Sequence, residues 1–157
     1  MADPTANGGN DNPVLLAYDG SEYAKTAIQE AARELRPGRH AIVLTVWQPF
    51  ASFPAVSTAV ALPANLSEPV EEEARKVAAE GASLARQLGF DATPVLDQGD
   101  PVWQCIVDTA DHYDASVIVL GSHGRTGITA VLVGSVAAAA ARHTDRSVLI
   151  VHRSSED

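Results

Sequence analysis

SVIVLGSHGRTGITAVLVGSVAAAAARH, residues 116–143, joins an unbroken apolar run to a loop holding three glycines and then to an alanine-rich stretch. Four successive apolar residues, Val117 to Leu120, suit a strand covered on both faces, the pattern of a parallel sheet. Glycines at 121, 124 and 127 permit positive φ and let the backbone come close to a ligand. Successive peptide N–H groups in such a turn, together with the start of the next helix, form an anion-binding nest. The alanine-rich segment reads as a helix from about Val131 to His143, which places Gly134 and Ser135 inside it. An interior glycine costs about 1 kcal/mol relative to alanine, so Gly134 needs a reason: a phosphate contact or close packing of helix on strand.

The same alternation extends outward. Pro13–Asp19 (PVLLAYD) is a first strand, and Ser21 then offers an N-cap to a helix with Ala24, Ile28, Ala31 and Leu35 on one face until Pro37-Gly38. Ala41–Trp47 is a second strand. Val70, Ala74, Val77, Gly81, Leu84 and Leu88 form a helical stripe that Gly89 stops, followed by a third strand, Asp91–Leu96. Asp100-Pro101 reads as N-cap and first-turn proline of a helix to about Asp111 carrying Val102, Ile106, Val107 and Ala110. Ser116–Leu120 is the fourth strand and Ser147–Val151 the fifth. Five strands alternating with helices predict an α/β fold, one doubly wound domain with a five-stranded parallel sheet and helices on both faces. In such sheets ligands lie beyond the carboxyl ends of the strands, where the winding reverses. For the order 3-2-1-4-5 that crevice lies between strands one and four, where Asp19-Gly20-Ser21 meets Gly121–Gly127.

Composition narrows the function. The chain has 157 residues, 46% hydrophobic and 20% charged, which suits one globular domain. A formal charge of −9 without clustered Lys or Arg disfavours nucleic acid and anionic membranes. One cysteine, Cys105, rules out an intrachain disulfide and reads as a small buried hydrophobe. Residues 1–11 read as a disordered tail without the pattern of a signal peptide, and residues 12–153 as the domain. No apolar run is long enough to span a bilayer, so a cytoplasmic protein is expected. Residues 48–66, apolar and proline-bearing, are read as a lid or partner-packing segment. Trp47 and Trp103 read as core or cleft walls. His123 has no nucleophile beside it in the sequence, and His112 and His143 lack companions at metal-ligand spacing.

Two familiar phosphate fingerprints are missing: G-x-x-x-x-G-K-[ST] and the dinucleotide G-x-G-x-x-G. What stands instead is G-x2-G-x9-G-S: Gly121, Gly124, Gly134, Ser135. With this spacing, with YDGS (Tyr18–Ser21) ending the first strand and SVLIV closing the last, the chain over residues 12–152 resembles the universal stress protein family, in its ATP-binding branch. The resemblance implies strand order 3-2-1-4-5 and a dimeric regulatory or stress-response module that binds ATP, with Mg²⁺ held through the phosphates. It implies nucleotide contacts at Ala17, at Asp19 (ribose), at the backbone of Val46 (adenine) and at Gly121 near the ribose. Gly124, Gly134 and Ser135 would meet phosphates, with a further backbone N–H from Val136. Arg125 either reaches phosphate or stays solvated. The resemblance also implies a homodimer through Ser147–Val151. A slow ATPase and a nucleotide-free protein-interaction module stand as alternatives, and no catalytic residue is assigned.

Overall fold

In a computed structural model, which describes residues 12–48, 67–124 and 133–153, the buried runs become five strands. These are β1 (Val14–Ala17), β2 (His40–Trp47), β3 (Asp91–Gln98), β4 (Val117–Gly121) and β5 (Ser147–Val151), all parallel, in the order β3-β2-β1-β4-β5. The helices between them are α1 (Glu22–Glu34), α2 (Ser67–Gln87), α3 (Val102–His112) and α4 (Ser135–His143). The expected fold class and strand order are both present.

Strand alternation distributes the core. Val14 and Leu16 of β1 pack with Ala24, Ile28, Val77 and Ala82 of α1 and α2. Leu15, between them, points the other way and joins Ile106, Ala110, Ala137 and Ala140 of α3 and α4. Both faces of the central strand are therefore closed, which is why its sequence is apolar without interruption. The two edges differ. β3 carries Pro94, which lacks the amide a central strand needs, and β5 pairs with β4 alone.

Local signals account for most boundaries. The Ser21 hydroxyl accepts from the Ala24 amide, capping α1 as expected. Gly89, at φ +101°, ends α2 in the left-handed region that favours glycine. Leu88 lies beyond the last helical turn and is exposed, so the apolar stripe of α2 closes at Leu84. Pro101 is the extended N-cap of α3 (ψ 152°), with Val102 the first helical residue, so Asp100 is not the cap. The largest departure concerns α4. Gly134 is its extended N-cap (φ −66°, ψ 162°) rather than an interior residue, because its N–H is already bonded to Ser122 O. The helix consequently starts at Ser135, four residues later than its alanine content suggests. Residues 1–11, Arg125, Gly127 and all but Gln48 of the 48–66 segment lie outside the described residues.

Gly81 of α2 sits over the buried ring of Tyr18. A Cβ there would stand 2.5 Å from Tyr18 Cδ1 and 2.9 Å from Val43 Cγ1. Gly-to-Ala replacement in a helix ordinarily stabilises by up to about 1 kcal/mol. Here overpacking should reverse the sign, and Gly81→Ala is expected to destabilise by about 1–3 kcal/mol in urea unfolding. A gain in stability would show that the ring gives way freely.

Candidate functional site

The site arises where β1 and β4 part. Their register runs through Leu16 and Val119. Beyond it Tyr18 N donates to Leu44 O on β2 (2.8 Å), while Ser122 N donates to Val151 O on β5 (2.8 Å). Each strand end thus follows its outer neighbour, and a crevice opens between them. It measures about 570 Å³ and is lined from β1, β2, β4, α1, α3 and α4.

At the β1 side, Gly20 adopts φ +82° and lets the chain turn directly into α1. Asp19 Oδ1 accepts from the Ser21 N–H at 2.9 Å, so one carboxylate oxygen holds this turn. The other oxygen lies over the glycine loop, where a Cβ on residue 124 would stand 3.0 Å from Asp19 Oδ2. On β2, Leu44 O faces β1, and strand alternation turns the backbone groups of Val46 to the same side. β1 has ended by then, so the Val46 N–H and C=O border the cavity.

The glycine loop is fastened at both ends. Gly121 has α1 against it: a Cβ would lie 2.9 Å from the Tyr23 backbone carbonyl and Tyr23 Cβ. Ser122 is 1% exposed, with Oγ 3.0 Å from His123 Nδ1, and the His123 ring lies 5.1 Å from that of Tyr23. Gly134 N donates to Ser122 O at 2.6 Å, and a Cβ at 134 would meet that oxygen at 2.9 Å. The Gly134 amide thus closes the loop, and further N–H donors beside it lie in the residues that follow.

Those donors are the first amides of α4. Ala138 N makes the first intrahelical bond, to Gly134 O at 3.0 Å, and no side chain caps the helix. A helix leaves its leading N–H groups without an internal partner, and the macrodipole places partial positive charge there. Ser135, Val136 and Ala137 all line the cavity. Opposite them, Leu44, Val102, Ile106 and Leu120 form an apolar slot. Among the described lining residues Asp19 is the one carboxylate and none is Lys or Arg. The described residues hold no group of three or more His, Cys, Asp or Glu fit for a metal ion.

Of the positions singled out from the sequence, Ala17, Asp19, Val46, Gly121, Gly124, Gly134, Ser135 and Val136 all line this cavity. Arg125 lies outside the described residues. Val102 and Ile106, four apart on one face of α3, line the cavity while also belonging to the core on that side of the sheet. Tyr18, which opens the YDGS stretch, and Ser122, within the glycine loop, are also on its lining and have no role assigned from the sequence. Cys105 is half-buried and faces Gly99, with burial raising its thiol pKa. Trp103 stacks on His143 at 4.4 Å, joining α3 to α4.

No helix among the described residues is long and apolar enough to cross a membrane. A universal stress protein of Methanocaldococcus jannaschii is 28% identical over 143 residues, 89% of this chain and 81% of that protein. The solved structure of another protein of that organism, MJ0577, has a TM-score of 0.76 at 24% identity, covering 91% of this chain and 96% of that one. A universal stress protein solved in complex with cAMP has a TM-score of 0.62 at 25% identity, covering 91% of this chain and 98% of its own. The profile of the universal stress protein family matches residues 12–152, and the chain belongs to that family.

Proposed function

We propose that residues 12–153 form a nucleotide-binding domain for ATP, acting as a cytoplasmic dimeric regulatory module. The observation that carries this reading is the α4 N-terminus, without a side-chain cap, opening into the same cavity as Asp19 and the backbone edge of Val46. The three features match the three parts of the ligand. Leading amides of Ser135 and Val136, with the Ser135 hydroxyl, suit phosphate oxygens. A carboxylate accepts from ribose hydroxyls, and a free strand edge between apolar walls suits the adenine base. The family member solved with cAMP supports an adenine nucleotide in this fold. Mg²⁺ fits only as a passenger on the phosphates, since Asp19 is the single described carboxylate at the cavity. Gly121, Gly124 and Gly134 act by holding the loop where the amides converge, and Ala17 lies at the cavity floor.

Dimerisation through β5 has a separate basis. Val151 O accepts from Ser122 N, so alternation turns the backbone of Ile150 and Val148 to the open edge. An edge of half-buried Val148, Leu149 and Ile150 is a template for pairing with a second copy.

Gly134→Val would push the side chain into Ser122 O and displace the α4 N-terminus. ATP affinity, measured by calorimetric titration, is expected to fall at least tenfold, about 1.4 kcal/mol. Unchanged affinity in a folded variant would refute the assignment. Ile150→Pro removes an outward amide from β5. Sedimentation analysis should then find a monomer that still binds ATP within about threefold of wild type. A dimer that persists would place the seam elsewhere.

A further inference from the structure

Thr45 is a buried polar residue in a row where the pattern calls for aliphatic ones. It follows Ala41 and Val43 on the α1–α2 face of β2 and is 5% exposed. Its hydroxyl donates to Tyr18 O at 2.8 Å. Tyr18 is held in three further ways: its N–H donates to Leu44 O, its ring lies beneath Gly81, and its phenol donates to Glu80 Oε1. The next residue is Asp19. The Tyr18 carbonyl belongs to the peptide plane that leads into Asp19, so the Thr45 bond fixes the plane from which that carboxylate projects.

We propose that Thr45 is a positioning residue for Asp19, setting through the Tyr18 peptide where the carboxylate meets the ribose hydroxyls. The inference rests on the nucleotide reading above. Thr45 touches no ligand, and its effect is confined to the sugar end of the cavity. The phosphate end is set separately, by the Ser122–Gly134 bond.

The test compares ATP with 2′,3′-dideoxy-ATP in calorimetric titrations of the full chain. Thr45→Val keeps the side-chain shape and removes the donor. It is expected to weaken ATP about tenfold while changing dideoxy-ATP less than about twofold. Thr45→Ser, which restores a hydroxyl, should recover most of the ATP affinity. In an Asp19→Asn background, Thr45→Val should change ATP affinity by less than about twofold, because the two act on one contact. Equal weakening of both ligands, or additive losses in the double variant, would make Thr45 merely structural and overturn the proposal. So would unchanged ATP affinity in Thr45→Val. If Thr45→Val does not fold, Thr45→Ala is held to the same criteria. A wild-type chain that binds neither nucleotide overturns the nucleotide reading, and this inference with it. Wild-type binding with an indifferent Thr45→Val overturns the inference alone.

Discussion

The constraint on which the molecule turns is the separation of β1 from β4 after Leu16 and Val119. Two backbone bonds impose it, Tyr18 N to Leu44 O and Ser122 N to Val151 O, each drawing a strand end toward its outer neighbour. A sheet wound outward in both directions must have one such place, because its first and fourth strands are continued by connections on opposite faces. The cavity is therefore a consequence of strand order. Residues far apart in the sequence, such as Asp19, Val46 and Ser135, meet there because their strands or helix end at that edge.

Much of this is legible in the chain because burial on both faces leaves a blunt signature. Runs such as VLLA and AIVLTVW suit little but a strand enclosed within a sheet, and the apolar Ser147–Val151 matches the fifth strand, at an edge, to the residue. Helix starts are harder. Alanine content extends α4 back to Val131, since propensity reports what a segment tolerates and not where tertiary bonds begin it. The Gly134–Ser122 bond lies between residues twelve apart, and no local pattern encodes it. Val102 and Ile106 illustrate a second limit. An apolar pair at i, i+4 looks the same whether it serves the core alone or a cavity wall as well. Thr45 leaves a trace, a lone hydroxyl in an aliphatic row, but its partner carbonyl becomes visible only when β1 and β2 lie side by side.

The charge balance sharpens the chemistry of the cavity. A chain of net charge −9 repels anions at long range, yet that field is screened over about 8 Å at physiological ionic strength. Among the described lining residues, positive potential comes from the partial charges of backbone amides at the start of α4, which act over a few ångströms. With no Lys or Arg among the described lining residues, attraction would come from dipoles fixed in direction by the fold. Fixed dipoles discriminate by geometry, whereas a lysine would attract any anion. A site of that kind would be selective only while the helix start is held still.

The glycine spacing also serves packing within the protein. Gly121 admits the backbone of Tyr23, Gly124 lies against Asp19 Oδ2, and Gly134 lies against Ser122 O. At each position the atom that a side chain would strike belongs to the protein. Gly134 closes on Ser122, directly before α4 begins. The motif thus ties the loop to its own base, and what remains at its exit is one end of the cavity. It consists of a helix start whose cap residue has no side chain and whose own amide is already engaged, so that the amides after it face the cavity.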